Sequence, residues 1–160
     1  MSPISREELR ELLRGSDLLG RIPEHEIDQL TKQVRRHPYS RGQLIFMKED
    51  QGREVMLVAS GRVKIVTASD TGTEVIHNLI EAGQVFGEMA LLDGKPRSAD
   101  AVAAVDSEII ELAREDFLEI LRRNPEVAIE MMAILCGRIR QATSFVEDAV
   151  LLDSRARLLQ

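Results

Sequence analysis

The chain has one cysteine and no tryptophan, and aromatic residues make up only 3% of its 160 residues. A single cysteine excludes an internal disulfide and a cysteine-held iron–sulfur cluster. Cys136 lies in an apolar helical run, where a buried, inert thiol is expected. No apolar run reaches the roughly 20 residues of a membrane span. The first residues, MSPISREELRELL, are charged too early for a secretory signal, so a cytoplasmic location is expected. Basic residues number 21 against 27 acidic ones, a net charge of −6. That balance argues against a broad nucleic-acid-binding face but leaves room for one small anion pocket. What is present is 44% hydrophobic residues. This is enough for a packed core built from Leu, Ile, Val, Met and Ala, in one domain or one domain with an appendage.

Three zones follow one another. In the first, Ser5 with Glu8 three residues later reads as a capping box, and Leu9, Leu12 and Leu13 share a face. A second helix is expected to open at Pro23 and carry Ile27, Leu30 and Val34, ending at Arg35-Arg36-His37-Pro38. The second zone, from about residue 40 to 112, is paced by Gly42, Gly52, Gly61, Gly72, Gly83 and Gly94. Between them lie β-forming runs at Glu54–Ala59, Arg62–Val66, Glu74–Ile80, Ala99–Ala104 and Glu108–Leu112. Short strands at this spacing predict an antiparallel sandwich or barrel. The third zone is helical. A helix over Arg114–Arg123 turns Phe117, Ile120 and Leu121 inward, and Asn124-Pro125 reads as a cap followed by a first-position proline. The helix then runs to about Ala149, with Leu135, Ile139, Ala142, Val146 and Ala149 in a heptad-like seam that suggests dimerisation. Asp153 reads as the cap of one more helix, Ser154–Leu159.

Several chemistries find no support. Gly94-Lys95 stands at the wrong spacing from Gly87 for a phosphate loop, and Pro96 occupies the position of the metal-binding hydroxyl. His25, His37 and His77 have no ligand-like spacing and read as surface or sheet residues. No carboxylate pair is singled out for acid–base work, so the chain is not expected to be an enzyme.

The stretch FGEMALLDGKPRSADA, residues 86–101, is different. Gly87 lets the backbone approach a ligand closely, and Glu88–Leu92 is long enough for one helical turn whose first N–H groups lack partners. The turn Asp93-Gly94-Lys95-Pro96 brings Arg97 back beside that helix start. Arginine presents a planar fork of donors to a phosphate, and Ser98 adds a hydroxyl. Glu88 is a poor neighbour for a phosphate and suits a sugar hydroxyl instead. The alternative is a structural hairpin in which Arg97 pairs with Glu88 or Asp100.

Phe-Gly-Glu-x-Ala-Leu-Leu, a short turn and Pro-Arg-Ser-Ala resemble the phosphate-binding cassette of cyclic-nucleotide-binding domains. The tail QATSFVEDAVLLDSRARLL resembles the dimerisation helix of Crp/Fnr-type transcription regulators. The resemblance implies an α+β, mainly β fold. It is an antiparallel β-roll of jelly-roll (double-stranded β-helix) type, flanked by N-terminal helices and a long C-terminal dimerisation helix. Residues 1–124 would be the binding domain and 125–160 the dimer helix and start of a hinge. The ligand would be a cyclic nucleotide, cyclic AMP before cyclic GMP. Its site would comprise Phe86, Gly87, Glu88, Met89, Ala90, Arg97, Ser98 and Ala99, with Glu88 on the ribose and Arg97 and Ser98 on the cyclic phosphate. Thr143 and Ser144 would reach the purine, in part across a homodimer joined through residues 125–150. DNA would be met only through a C-terminal domain beyond Gln160, absent from this chain. Asp100 departs from the family pattern and would face the phosphate end. Two rivals are a ligand-free dimerisation module and an enzyme acting on a nucleotide phosphodiester.

Overall fold

A computed structural model describes residues 4–17 and 19–159. Helix α1 (Arg6–Arg14) starts as its sequence demands: the Ser5 hydroxyl accepts a hydrogen bond from the Glu8 N–H. Helix α2 spans Glu24–Gln33, with Pro23 one position earlier than expected, as its N-cap. Eight strands follow: β1 (Arg35–Tyr39), β2 (Leu44–Phe46), β3 (Glu54–Ser60), β4 (Arg62–Ala68), β5 (Glu74–Glu81), β6 (Val85–Phe86), β7 (Asp100–Ala103) and β8 (Ser107–Ala113). The short helix α3 (Glu88–Asp93) sits between β6 and β7; α4 (Arg114–Arg123) and α5 (Pro125–Leu158) close the chain. Among the described residues no helix is long and apolar enough to cross a membrane.

The strands form two antiparallel four-stranded sheets, ordered β1-β8-β3-β6 and β2-β7-β4-β5. The predicted β-roll class is therefore the observed one. The two faces of the first sheet explain the continuous apolar runs in β3 and β8. Val55 and Leu57 of β3 and Ile110 and Leu112 of β8 pack against Leu9, Ile27, Leu30 and Phe117 of the helices. Met56, Val58 and Ile109 point the other way, into the roll, against Val63, Ile80, Ala101 and Ala103. A strand covered on both faces has no polar side to alternate with.

Four expectations are corrected. Arg35-Arg36-His37-Pro38 does not simply end α2; it belongs to β1, paired with β8 from Arg35–Glu111 to Tyr39–Ser107. β1 is an outer strand, where a proline is tolerated. Asp153 caps nothing: α5 runs unbroken to Leu158, and Asp153 pairs with Arg157 one turn on, at 2.9 Å. Asn124 stands at the N-cap of α5 with Pro125 in its first turn, as expected, and the correction concerns only its side chain, which makes no capping bond: its Nδ2 donates to the Ile120 carbonyl that ends α4, at 3.0 Å. Cys136 is exposed, because the inward face of α5 is carried by Val127, Met131, Ile134 and Leu135, and Cys136 lies off that row.

Candidate functional site

The roll, α3 and the middle of α5 enclose a cavity of about 200 Å³. Its wall is mostly apolar, including Phe46, Ile65, Ile80 and Phe86, and it carries two buried charges of opposite sign, Glu88 and Arg97. They are nine residues apart in sequence, and α3 with its following turn brings both to the same cavity.

Leu91 fixes α3 by inserting into the core against sheet and helices. Gly87 caps α3 with φ at +79°, a left-handed conformation that glycine adopts without strain. A Cβ at Gly87 would also come within 2.9 Å of Arg97 Nη1, and one at Gly52 would collide with the Cβ of Ala90. Both glycines are what allow the guanidinium and α3 to approach the backbone so closely. The first N–H groups of α3, at Glu88, Met89 and Ala90, have no acceptor within the helix.

Arg97 is held by backbone. Its Nη1 donates to the Gly87 carbonyl at 2.6 Å and its Nη2 to the Glu54 carbonyl at 2.7 Å. Phe46 covers one face of the guanidinium, 4.2 Å from ring centroid to Cζ. The Arg97 backbone N–H donates to the Asp50 carbonyl at 2.8 Å. Among the described residues no carboxylate lies within ion-pairing distance of this buried cation. Burial accordingly lowers its pKa, while the more distant Glu54, Glu88 and Asp50 charges oppose the shift. A guanidinium carries five N–H donors, and two are spoken for, which leaves three in a fixed plane.

Glu88 is treated differently. Its carboxylate is paired with Arg138 of α5, which also donates from Nη2 to the Val85 carbonyl at 3.0 Å. Burial raises the Glu88 pKa, and the Arg138 charge pulls it back. Arg138 went unnoticed in the sequence because it lies 50 positions away among other helix arginines. The available signal was its place on the row Val127, Met131, Ile134, Leu135, one turn further along the inward face.

Phe86, Gly87, Glu88, Met89, Ala90, Arg97, Ser98 and Ala99 all line the cavity. Thr143 and Ser144 do not: the Thr143 hydroxyl donates to the Ile139 carbonyl of its own helix, and both residues are exposed. Asp100 is also turned away, its carboxylate accepting the Lys48 N–H at 2.6 Å. It is therefore committed to the backbone of the neighbouring loop and is not part of the cavity wall. The hairpin alternative, Arg97 paired with Glu88 or Asp100, is not the arrangement found.

The family model of the cyclic nucleotide-binding domain matches residues 36–124. The cyclic AMP receptor protein of Thermus thermophilus is 40% identical over 130 residues, covering 81% of this chain and 60% of its own length. A CRP-like cAMP-activated global transcriptional regulator of Mycobacterium tuberculosis is 23% identical over 148 residues, covering 92% of this chain and 66% of its own. The crystal structure of the Thermus thermophilus catabolite activator protein superposes with a TM-score of 0.73 at 39% identity, over 82% of this chain and 62% of that one. This chain thus spans less than two thirds of the length of these relatives.

Proposed function

The chain belongs to the cyclic nucleotide-binding domain family, and from that premise we propose that it is the ligand-sensing part of a Crp-type transcription regulator, with cyclic AMP as its ligand. The observation that carries this reading is Arg97: a buried cation at a cavity wall, oriented by two backbone carbonyls and without an ion-pair partner among the described residues. Such a charge is costly to desolvate unless an anion meets it. A cyclic phosphate carries one negative charge and matches the remaining planar donors. The Ser98 hydroxyl and the first N–H groups of α3 complete its surroundings.

At the other end, the Glu88 carboxylate accepts from a ribose hydroxyl, and that contact competes with Arg138. Ligand binding then alters the tie between the roll and α5. This gives the differential affinity for two helix placements that any transmitted signal requires. Residues 125–160 act as the output element. Ile139 and Val146, 66% and 59% exposed, are free to meet a second copy, while Leu135 of the expected seam already packs on its own core. A homodimer in the cytoplasm, and DNA contact through a further domain, complete the proposal.

The test is a thermal-shift series with cyclic AMP and 5′-AMP, followed by chromatography of the nucleotide. Stabilisation by cyclic AMP, much weaker response to 5′-AMP and an intact nucleotide support a sensor. No shift with either supports a ligand-free dimerisation module, and an opened monophosphate supports an enzyme.

A further inference from the structure

The strand that leads into α3 is gripped from two other elements. The segment after α1 lies flush on it: the Asp17 N–H donates to the Gly83 carbonyl at 3.0 Å, and a Cβ on Gly83 would come within 2.8 Å of the Gly15 carbonyl oxygen. The Gly83 N–H and the Gln84 carbonyl are both bonded to Val58 of β3. Val85, next in the chain, therefore turns its N–H and carbonyl to the open edge of β6, the outer strand of its sheet. There it is held by two residues of opposite charge. Its N–H donates to Asp17 Oδ1 at 3.1 Å, and its carbonyl accepts from Arg138 Nη2 at 3.0 Å. Arg21, also between α1 and α2, bonds Glu130 of α5 at 2.8 Å, so this segment runs beside the long helix.

Asp17, Glu88 and Arg138 line one crevice between the roll and α5. No ion pair joins Asp17 to Arg138, because the guanidinium is turned to Glu88. The negative charge of Asp17 is nonetheless near enough to oppose ionisation of Glu88. One cation thus shares a crevice with two carboxylates and is bonded to one of them. The Glu88 and Val85 bonds use two of the five guanidinium N–H donors and leave three. Among the described residues, none donates to Asp17 Oδ2. A ribose hydroxyl on Glu88 displaces Arg138 from its present partner. A guanidinium left half-buried without an anion is costly, and Asp17 is the carboxylate at hand.

We propose that Asp17 is the second partner of Arg138: when the ribose takes Glu88, the guanidinium pivots on the Val85 carbonyl and pairs with Asp17. Occupancy of the pocket then exchanges a tie between α3 and α5 for one between α5 and the segment after α1. The inference rests on the ribose contact proposed for Glu88. Asp17 touches no ligand; it is a positioning residue that acts through Arg138.

The experiment is calorimetric titration of the whole chain with cyclic AMP, in the parent, Asp17→Asn, Arg138→Ala and the double variant. Asp17→Asn keeps an oxygen for the Val85 N–H and removes only the charge. Asp17 is exposed, so the substitution does not reach the core. Asp17→Asn is expected to weaken binding by about three- to tenfold, the range for one net hydrogen bond. With Arg138 already replaced by Ala, the same change is expected to alter affinity by less than about twofold, since the partner is gone. A purely structural role for Asp17 weakens both backgrounds alike. A direct effect of its charge on the anionic ligand tightens binding when the charge is removed. Either result, or no change in the parent background, overturns the pairing. A second readout needs no double variant. Cyclic AMP is expected to slow hydrogen exchange between α1 and α2 in the parent and not in Asp17→Asn, and equal behaviour of the two overturns the proposal. No binding of cyclic AMP by the parent overturns the pocket reading itself.

Discussion

The two charged ends of the cavity are built by opposite strategies. Arg97 is fixed within the roll, by the Gly87 and Glu54 carbonyls and the Phe46 ring, and has no carboxylate partner among the described residues. Glu88 sits on the short helix α3 and takes its partner from α5, far along the chain. The first end is complete within one rigid unit and suits affinity. The second joins two units and suits transmission. A pocket with both ends satisfied internally would have no use for an anion; one with neither would have no link to the long helix.

The comparison is broken most severely at Arg97. In Arg97→Ala the affinity for cyclic AMP is expected to fall by about 2–4 kcal/mol, as for a buried charge-assisted pair. The stability of the ligand-free chain changes far less, because the buried cation lacks an ion-pair partner to lose. Denaturant unfolding with and without ligand separates the two effects. Arg97→Lys keeps the charge but not the fork, and it recovers only part of the binding.

At the other end, Arg138→Ala strands a buried carboxylate. It is expected to cost about 1–3 kcal/mol of ligand-free stability, read from the same unfolding curves. Ligand-induced changes in hydrogen exchange along α5 should also be blunted. Gly87→Ala tests how closely the first end is fitted. Its left-handed φ and the approach to Arg97 Nη1 predict a loss of about 1–2 kcal/mol in stability.

The Glu88 carboxyl sharpens the contrast through pH. Burial raises its folded pKa above the unfolded value. Its contribution to stability is therefore fully present below the ordinary carboxylate range and is lost as pH rises through the raised value. Ligand-free stability should decline over that window, and Glu88→Gln should flatten the decline, as followed by unfolding midpoints across pH. The smallest effect belongs to Thr143. With its hydroxyl bonded within α5, Thr143→Ala should change cyclic AMP binding by less than about twofold in a single chain, and more only if a dimer brings the residue to its partner's pocket.

Much of this was legible in the sequence, for reasons that can be stated. The glycine rhythm marked the turns of the roll, and the cassette kept both charged residues of the cavity within one short segment. β1 was missed because Arg35-Arg36-His37-Pro38 carries a proline that reads as a helix stop, and only pairing with β8 turns it into a strand. The continuous α5 was missed because Asp153 resembles a cap, whereas its i,i+4 partner Arg157 supports a helix interior. Arg138 escaped notice because local spacing does not mark it; it is found by extending the buried row of α5.

The most direct measurement is a side-by-side calorimetric titration of the parent, Arg97→Ala and Arg138→Ala with cyclic AMP. The account predicts tight binding by the parent, a loss of about 30-fold or more in Arg97→Ala, and binding retained within roughly tenfold in Arg138→Ala. An Arg97→Ala chain that binds within about threefold of the parent, well below the loss of a buried charged contact, would contradict it.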